Sequence, residues 1–85
     1  MHSAAEIEHE IASLISEVTL GRVEPDQVRA DLALIADIGL DSLDYATVML
    51  RCEKWLGVRV DEAAVDWRLV LTVGDLAALL HRSQR

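Results

Sequence analysis

Five residues punctuate this chain, Gly21, Pro25, Gly39, Gly57 and Gly74, and they limit what it can fold into, because each favours the end of a regular element and the stretches between them are short. Between these breaks the apolar residues recur at helical spacing. Ile7, Ile11, Leu14, Ile15 and Val18 fall on one helical face, with Glu6, Glu10, Ser13 and Glu17 opposite, which predicts an amphipathic helix from about Ala4 to Val18. Val58 and Val60 alternate like a short strand, but with no second convincing strand to pair with they read as an extended connector. At 85 residues the chain is too short for a second core, and with Phe absent its one core is expected to be Leu, Ile, Val and Ala. The expectation is an all-α fold: a small four-helix bundle, with three main helices and one short one, forming a single domain over residues 1–85 with its core at about 4–82.

A long loop, residues 19–40, follows the first helix. Its scattered apolar residues, Leu20, Val23, Val28, Leu32, Leu34, Ile35, Ile38 and Leu40, predict that it is anchored to the core, with a short helical turn after Pro25 and Asp26. Connections this long tend to be functional. This one leads to Gly39-Leu40-Asp41-Ser42-Leu43-Asp44, where Asp41 or Ser42 can cap a second helix and Asp44 suits its positive end. That helix should run from Ser42 to about Leu56 and stop at Gly57, with Arg51 and Lys54 near its negative end. Projected around the axis, Tyr45, Val48, Met49, Cys52 and Leu56 make one apolar arc, and Leu43, Ala46 and Leu50 make a second beside Ser42. The first is assigned to the core. The second is expected to stay partly exposed as a docking surface, with Glu53 at its border and Asp44 and Thr47 joining it from the polar arc. Asp61 to Asp66 suggests a brief acidic helical turn, and Thr72-Val73-Gly74-Asp75 reads as the capping box of a last helix that ends near Arg82, after which Ser83 to Arg85 should fray.

Fifteen acidic against eight basic residues give a net charge of −7, which disfavours nucleic acid and points to protein partners with basic patches. No apolar run approaches membrane-spanning length and no signal-peptide pattern is present, so no membrane role and a cytoplasmic location are expected. The single Cys52 cannot form an internal disulfide and, mid-helix on the core arc, reads as a packing residue. His2, His9 and His81 show no metal-ligand spacing and are expected to be solvated. Trp55 and Trp67 read as packing residues, Trp55 at the edge of the core arc. Nothing signals a hydrolase triad, so the chain is not expected to be an enzyme.

Taken alone, Ser42 is most simply a helix cap. In this order of elements, however, with Gly39-Leu40-Asp41-Ser42-Leu43 opening the second helix and Thr72-Val73 opening the last, nearly the whole chain resembles the acyl carrier protein family. The resemblance implies a carrier domain with 4′-phosphopantetheine, taken from coenzyme A, attached at Ser42. It also implies that Asp41 assists the phosphopantetheinyl transferase through a magnesium ion of that enzyme. Further partners would be acyl-loading, ketosynthase or other acyl-processing enzymes, served by a monomer. Many fatty-acid carriers have Glu where Thr47 stands and an acid where Lys54 stands, and peptidyl carriers commonly show Gly-Gly-His-Ser or Gly-Gly-Asp-Ser before the Leu. The resemblance is thus closest to carriers of polyketide or fatty-acid-type synthesis, polyketide first. The alternatives are a discrete aminoacyl or peptidyl carrier of nonribosomal peptide synthesis and, in a different class, an unmodified helical interaction adaptor.

Overall fold

Three helices form where the periodicity places them: α1 over Ala4–Val18, α2 over Ser42–Leu56 and α3 over Val73–Arg82. The structure is a computed structural model that describes residues 1–61, 63, 65–66 and 70–84. Each helix start is built from side chains its own sequence supplies. At α1 the amide of Glu6 donates to Ser3 Oγ at 3.1 Å, and the amide of Ser3 donates back to Glu6 Oε1 at 3.0 Å. Gly57 ends α2 in the left-handed conformation, at φ 69°, which a side chain would strain. The short helix among the described residues is a 3-10 turn, Pro25–Gln27, where a turn after Pro25 was expected. The acidic turn expected over residues 61–66 lies partly outside the described residues, which omit Glu62 and Ala64, and Trp67 lies outside them altogether.

Helix α1 packs against both α2 and α3 and is the centre of the bundle. Its Ile7, Ile11 and Ile15 are fully buried, and they meet Val48, Met49 and Cys52 of α2 and Val73, Leu76, Ala77 and Leu80 of α3. Leu34, Ile38 and Leu40 enter the same core from the long loop, and Val60 and Val70 from the segment after α2. Among the described residues no polar or charged residue is fully buried, and Tyr45 packs against the core as a half-buried one. Two residues expected to anchor the loop do not. Leu20 takes a positive φ of 55° at the turn after α1, which aims it away from the core, and Ile35 lies 63% exposed on the loop's outer side.

The loop is held by its backbone as well as by the buried side chains of Leu34, Ile38 and Leu40. The amide of Val73 donates to Leu32 O at 3.0 Å, that of Gly74 to Ala30 O at 2.8 Å, and that of Leu34 to Leu71 O at 2.9 Å, around an isolated antiparallel bridge between Ala33 and Thr72. The first two are N-terminal amides of α3 that have no partner within the helix, so the loop itself serves as a cap. Gly74 is required here by proximity rather than by φ: a Cβ would sit 3.1 Å from Ala30 O. Thr72 Oγ1 takes the next amide, that of Asp75, at 3.1 Å, and the Asp75 carboxylate accepts from the amides of Thr72 and Leu71. Those backbone bonds hold the Asp75 carboxyl below its usual range. The sign follows: the stabilisation is present above the unfolded-state value and is lost as pH falls through the lower folded value.

Hydrogen bonds continue past the end of α3. Instead of fraying, Ser83 donates through Oγ to Leu79 O at 2.9 Å, and Gln84 bonds to His2, while Arg85 lies outside the described residues.

Thr72→Ala is expected to cost about 1 kcal/mol, the usual loss for a helix cap, while leaving the helical circular dichroism intact. In a domain of this size that is a fall of roughly 4–8 °C in Tm by thermal denaturation.

Candidate functional site

A rigid entry segment delivers Ser42 to the surface. Before it, the amides of Asp37 and Ile38 both donate to Ala33 O, at 3.1 and 3.0 Å, that of Gly39 to Ile35 O at 3.1 Å and that of Leu40 to Leu34 O at 3.1 Å. The Asp37 carboxylate closes the turn by accepting from the amide of Ala33 at 2.7 Å. Gly39 takes φ 84°, the left-handed conformation that makes glycine the natural residue there, and Leu40 is buried. With Leu40 fixed in the core, the next two residues have to emerge from it.

Asp41 is the cap of α2. Its Oδ1 accepts from the amide of Asp44 at 2.7 Å, which settles the choice left open between Asp41 and Ser42. Ser42 is the first residue of the helix, exposed, with its hydroxyl free of the capping role. The starts of α2 and α3 therefore differ in kind. The loop covers the first amides of α3, whereas among the described residues those of Ser42 and Leu43 meet no acceptor. An open helix start favours an anion, through both the unpaired N–H groups and the helix dipole.

Apolar surface surrounds this point. Ser42 borders a shallow hollow of about 270 Å³ formed with Ile35, Tyr45, Val70 and Leu71, and an adjoining one of about 210 Å³ reaches Ala33, Leu34 and Ala36. Tyr45 is half-buried between them, and burial, then the charge of Asp75, pushes its phenol pKa up, so it stays protonated. Ile35 and Leu71, 60% exposed, form the rim. Leu71 was not singled out from sequence, since nothing in its local pattern sets it apart from a core residue.

On α2 the second apolar arc lies outside the core. Leu43 is 73% exposed, Leu50 55%, and Ala46 is exposed between them. The polar residues grouped with them are less uniform. Asp44 and Thr47 are partly exposed, and the Thr47 hydroxyl donates back to Leu43 O at 2.9 Å. Glu53 accepts from the amide of Val60 at 3.0 Å, so one of its oxygens holds the connector after α2. Arg51 reaches Glu17 of α1 at 3.2 Å, while Lys54 is exposed.

Cys52 is fully buried, and burial, then the nearby Glu10 charge, pushes its thiol up to about 12. Such a thiol is inert. Among the described residues no group of three potential ligands stands close enough to hold a metal ion. No described helix is long and apolar enough to cross a membrane.

Two outcomes check this geometry. Leu50→Ala should change stability by less than about 0.5 kcal/mol in urea denaturation, as an exposed position does. In the native protein Cys52 should resist iodoacetamide, and a mass shift should appear only after unfolding.

Comparison with known proteins bears on the same region. Residues 9–80 match the phosphopantetheine attachment site family. An acyl carrier protein of Thermotoga maritima is 39% identical over 82 residues, covering 96% of each chain. One of Sinorhizobium fredii is 29% identical over 77 residues, covering 88% of this chain and 96% of its own.

Proposed function

Because the chain belongs to the acyl carrier protein family and so carries a covalently attached 4′-phosphopantetheine, we propose that the group is joined to Ser42 and that the chain serves as a non-catalytic carrier domain. The supporting observation is the open start of α2, where an exposed hydroxyl stands beside two amides that meet no acceptor among the described residues. A phosphodiester needs a hydroxyl in contact with solvent and gains from N–H groups that favour its negative charge. Once attached, the arm supplies a terminal thiol on which an acyl group is held as a thioester.

The residues around Ser42 have separate tasks in this reading. Asp41 holds the helix start through Oδ1, and its remaining oxygen is available to the magnesium of a phosphopantetheinyl transferase. Asp44, with Asp37 and Asp41, supplies negative charge that steers a basic partner toward Ser42. Leu43, Ala46 and Leu50 supply an apolar strip for acyl-loading, ketosynthase or other acyl-processing enzymes to grip, with Thr47 and Glu53 at its edges. The exposed Lys54 and the absence of an acid at Thr47 make α2 less negative toward its C-terminal end, which favours a polyketide pathway over a fatty-acid one. The whole chain, residues 1–85, is then a single carrier domain acting as a cytoplasmic monomer.

Incubation with coenzyme A and a broad-specificity transferase, followed by intact-mass measurement, should add one phosphopantetheine to the protein and none to Ser42→Ala. That variant should keep its stability within about 0.5 kcal/mol, because Asp41 is the cap. A folded wild type that gains no mass would return the adaptor reading, and a modified Ser42→Ala would move the site. In binding kinetics with the transferase, Asp44→Lys should mainly slow association and reduce its salt dependence. Leu43→Ala should raise the dissociation rate, weakening Kd roughly tenfold, or about 1.4 kcal/mol.

A further inference from the structure

At the end of the bundle away from Ser42, His2 is held on three sides. Its ring stacks on Trp55 of α2, with centroids 4.0 Å apart and planes inclined by 27°. Its Nδ1 lies 3.4 Å from Glu6 Oε2 on α1. Its backbone is bound at both polar groups by one side chain: the amide donates to Gln84 Oε1 at 2.8 Å, and the carbonyl accepts from Gln84 Nε2 at 2.8 Å. A solvated terminal histidine, the expectation from sequence, would show none of this. Residues 82 positions apart are thereby tied together over the last turn of α2.

We propose that His2 is the pin of a proton-sensitive clasp, joining residue 84 to α1 and α2 and closing more firmly when its imidazole is charged. A neutral ring can stack on Trp55 and share one hydrogen bond with Glu6. A charged ring adds attraction to the indole face and to the Glu6 carboxylate, with an expected gain of about two- to fivefold in the closing equilibrium at a partly exposed site. Glu6 is the acid facing His2. Its carboxyl is held below the usual range, first by the amide of Ser3 and then by the hydrogen bond to His2. From α2 the ring meets Trp55, next in sequence to Lys54, and from the segment after α3 it meets the uncharged Gln84. Arg59 is the charged side chain lining a hollow of about 560 Å³ beside Gln84, and its positive charge opposes that of a protonated His2. The tightening should therefore be present at mildly acidic pH, where the ring is charged, and lost at mildly alkaline pH, where it is neutral.

Urea denaturation of the full chain and of His2→Gln, at roughly pH 5.5 and roughly pH 8 on either side of the ordinary imidazole range, tests this directly. The ratio of the two folding equilibrium constants should be about two- to fivefold larger at the lower pH, and Trp55→Leu in both backgrounds should reduce that difference. Other titrating groups cancel in the ratio. Proton NMR supplies an independent readout: the ring C–H resonances of His2 should lie upfield of those of His9 and His81, and should lose that offset in Trp55→Leu. A ratio that does not change with pH, or ring resonances coincident with those of the other two histidines, would overturn the clasp.

Discussion

The structure depends on one backbone contact, the docking of loop residues 30–34 against the start of α3. Gly74 allows the approach, and the amides of Val73 and Gly74 find carbonyl partners in Leu32 and Ala30 that their own helix does not offer. Buried amides without partners would cost on the order of 1–3 kcal/mol each, so this contact fixes where the loop lies. Leu34, Ile38 and Leu40 are then carried into the core, and the chain has to surface at Asp41 and Ser42.

That arrangement explains why two helix starts in one small domain behave differently. The loop covers the first amides of α3, while those of Ser42 and Leu43 in α2 meet no acceptor among the described residues, because the loop has just ended there. Structural and functional roles are thus divided between neighbouring residues. Asp41 does the capping that Ser42 would otherwise do, leaving the serine hydroxyl accessible. The exposed stripe of Leu43, Ala46 and Leu50 follows from the same geometry, since α1 covers one face of α2 and the stripe lies on another.

Much of this was legible in the sequence because the signals are local. The limits of the three helices follow from apolar spacing and from punctuation such as Gly57, and the capping box at Thr72 follows from its residue pattern. The Ser3…Glu6 box at α1 carries the same kind of local signal. What the sequence did not reveal depends on contacts between distant segments. Ile35 and Leu71 look like core residues, and only the bridge at Ala33 and Thr72 places them on the rim beside Ser42. Glu53 looks like a free surface acid until Val60 turns back to meet it. His2 and Gln84 are unremarkable by pattern, and their pairing exists only once the bundle brings them together.

The central claim is that the open start of α2 bears the prosthetic group. The most direct measurement is proteolytic peptide mapping, by tandem mass spectrometry, of the protein isolated from its own cells. The phosphopantetheine mass should be found on the peptide containing Asp41-Ser42-Leu43, with fragment ions placing it on Ser42. Finding it on another residue, or finding that peptide only unmodified in protein that carries the group elsewhere, would contradict the assignment.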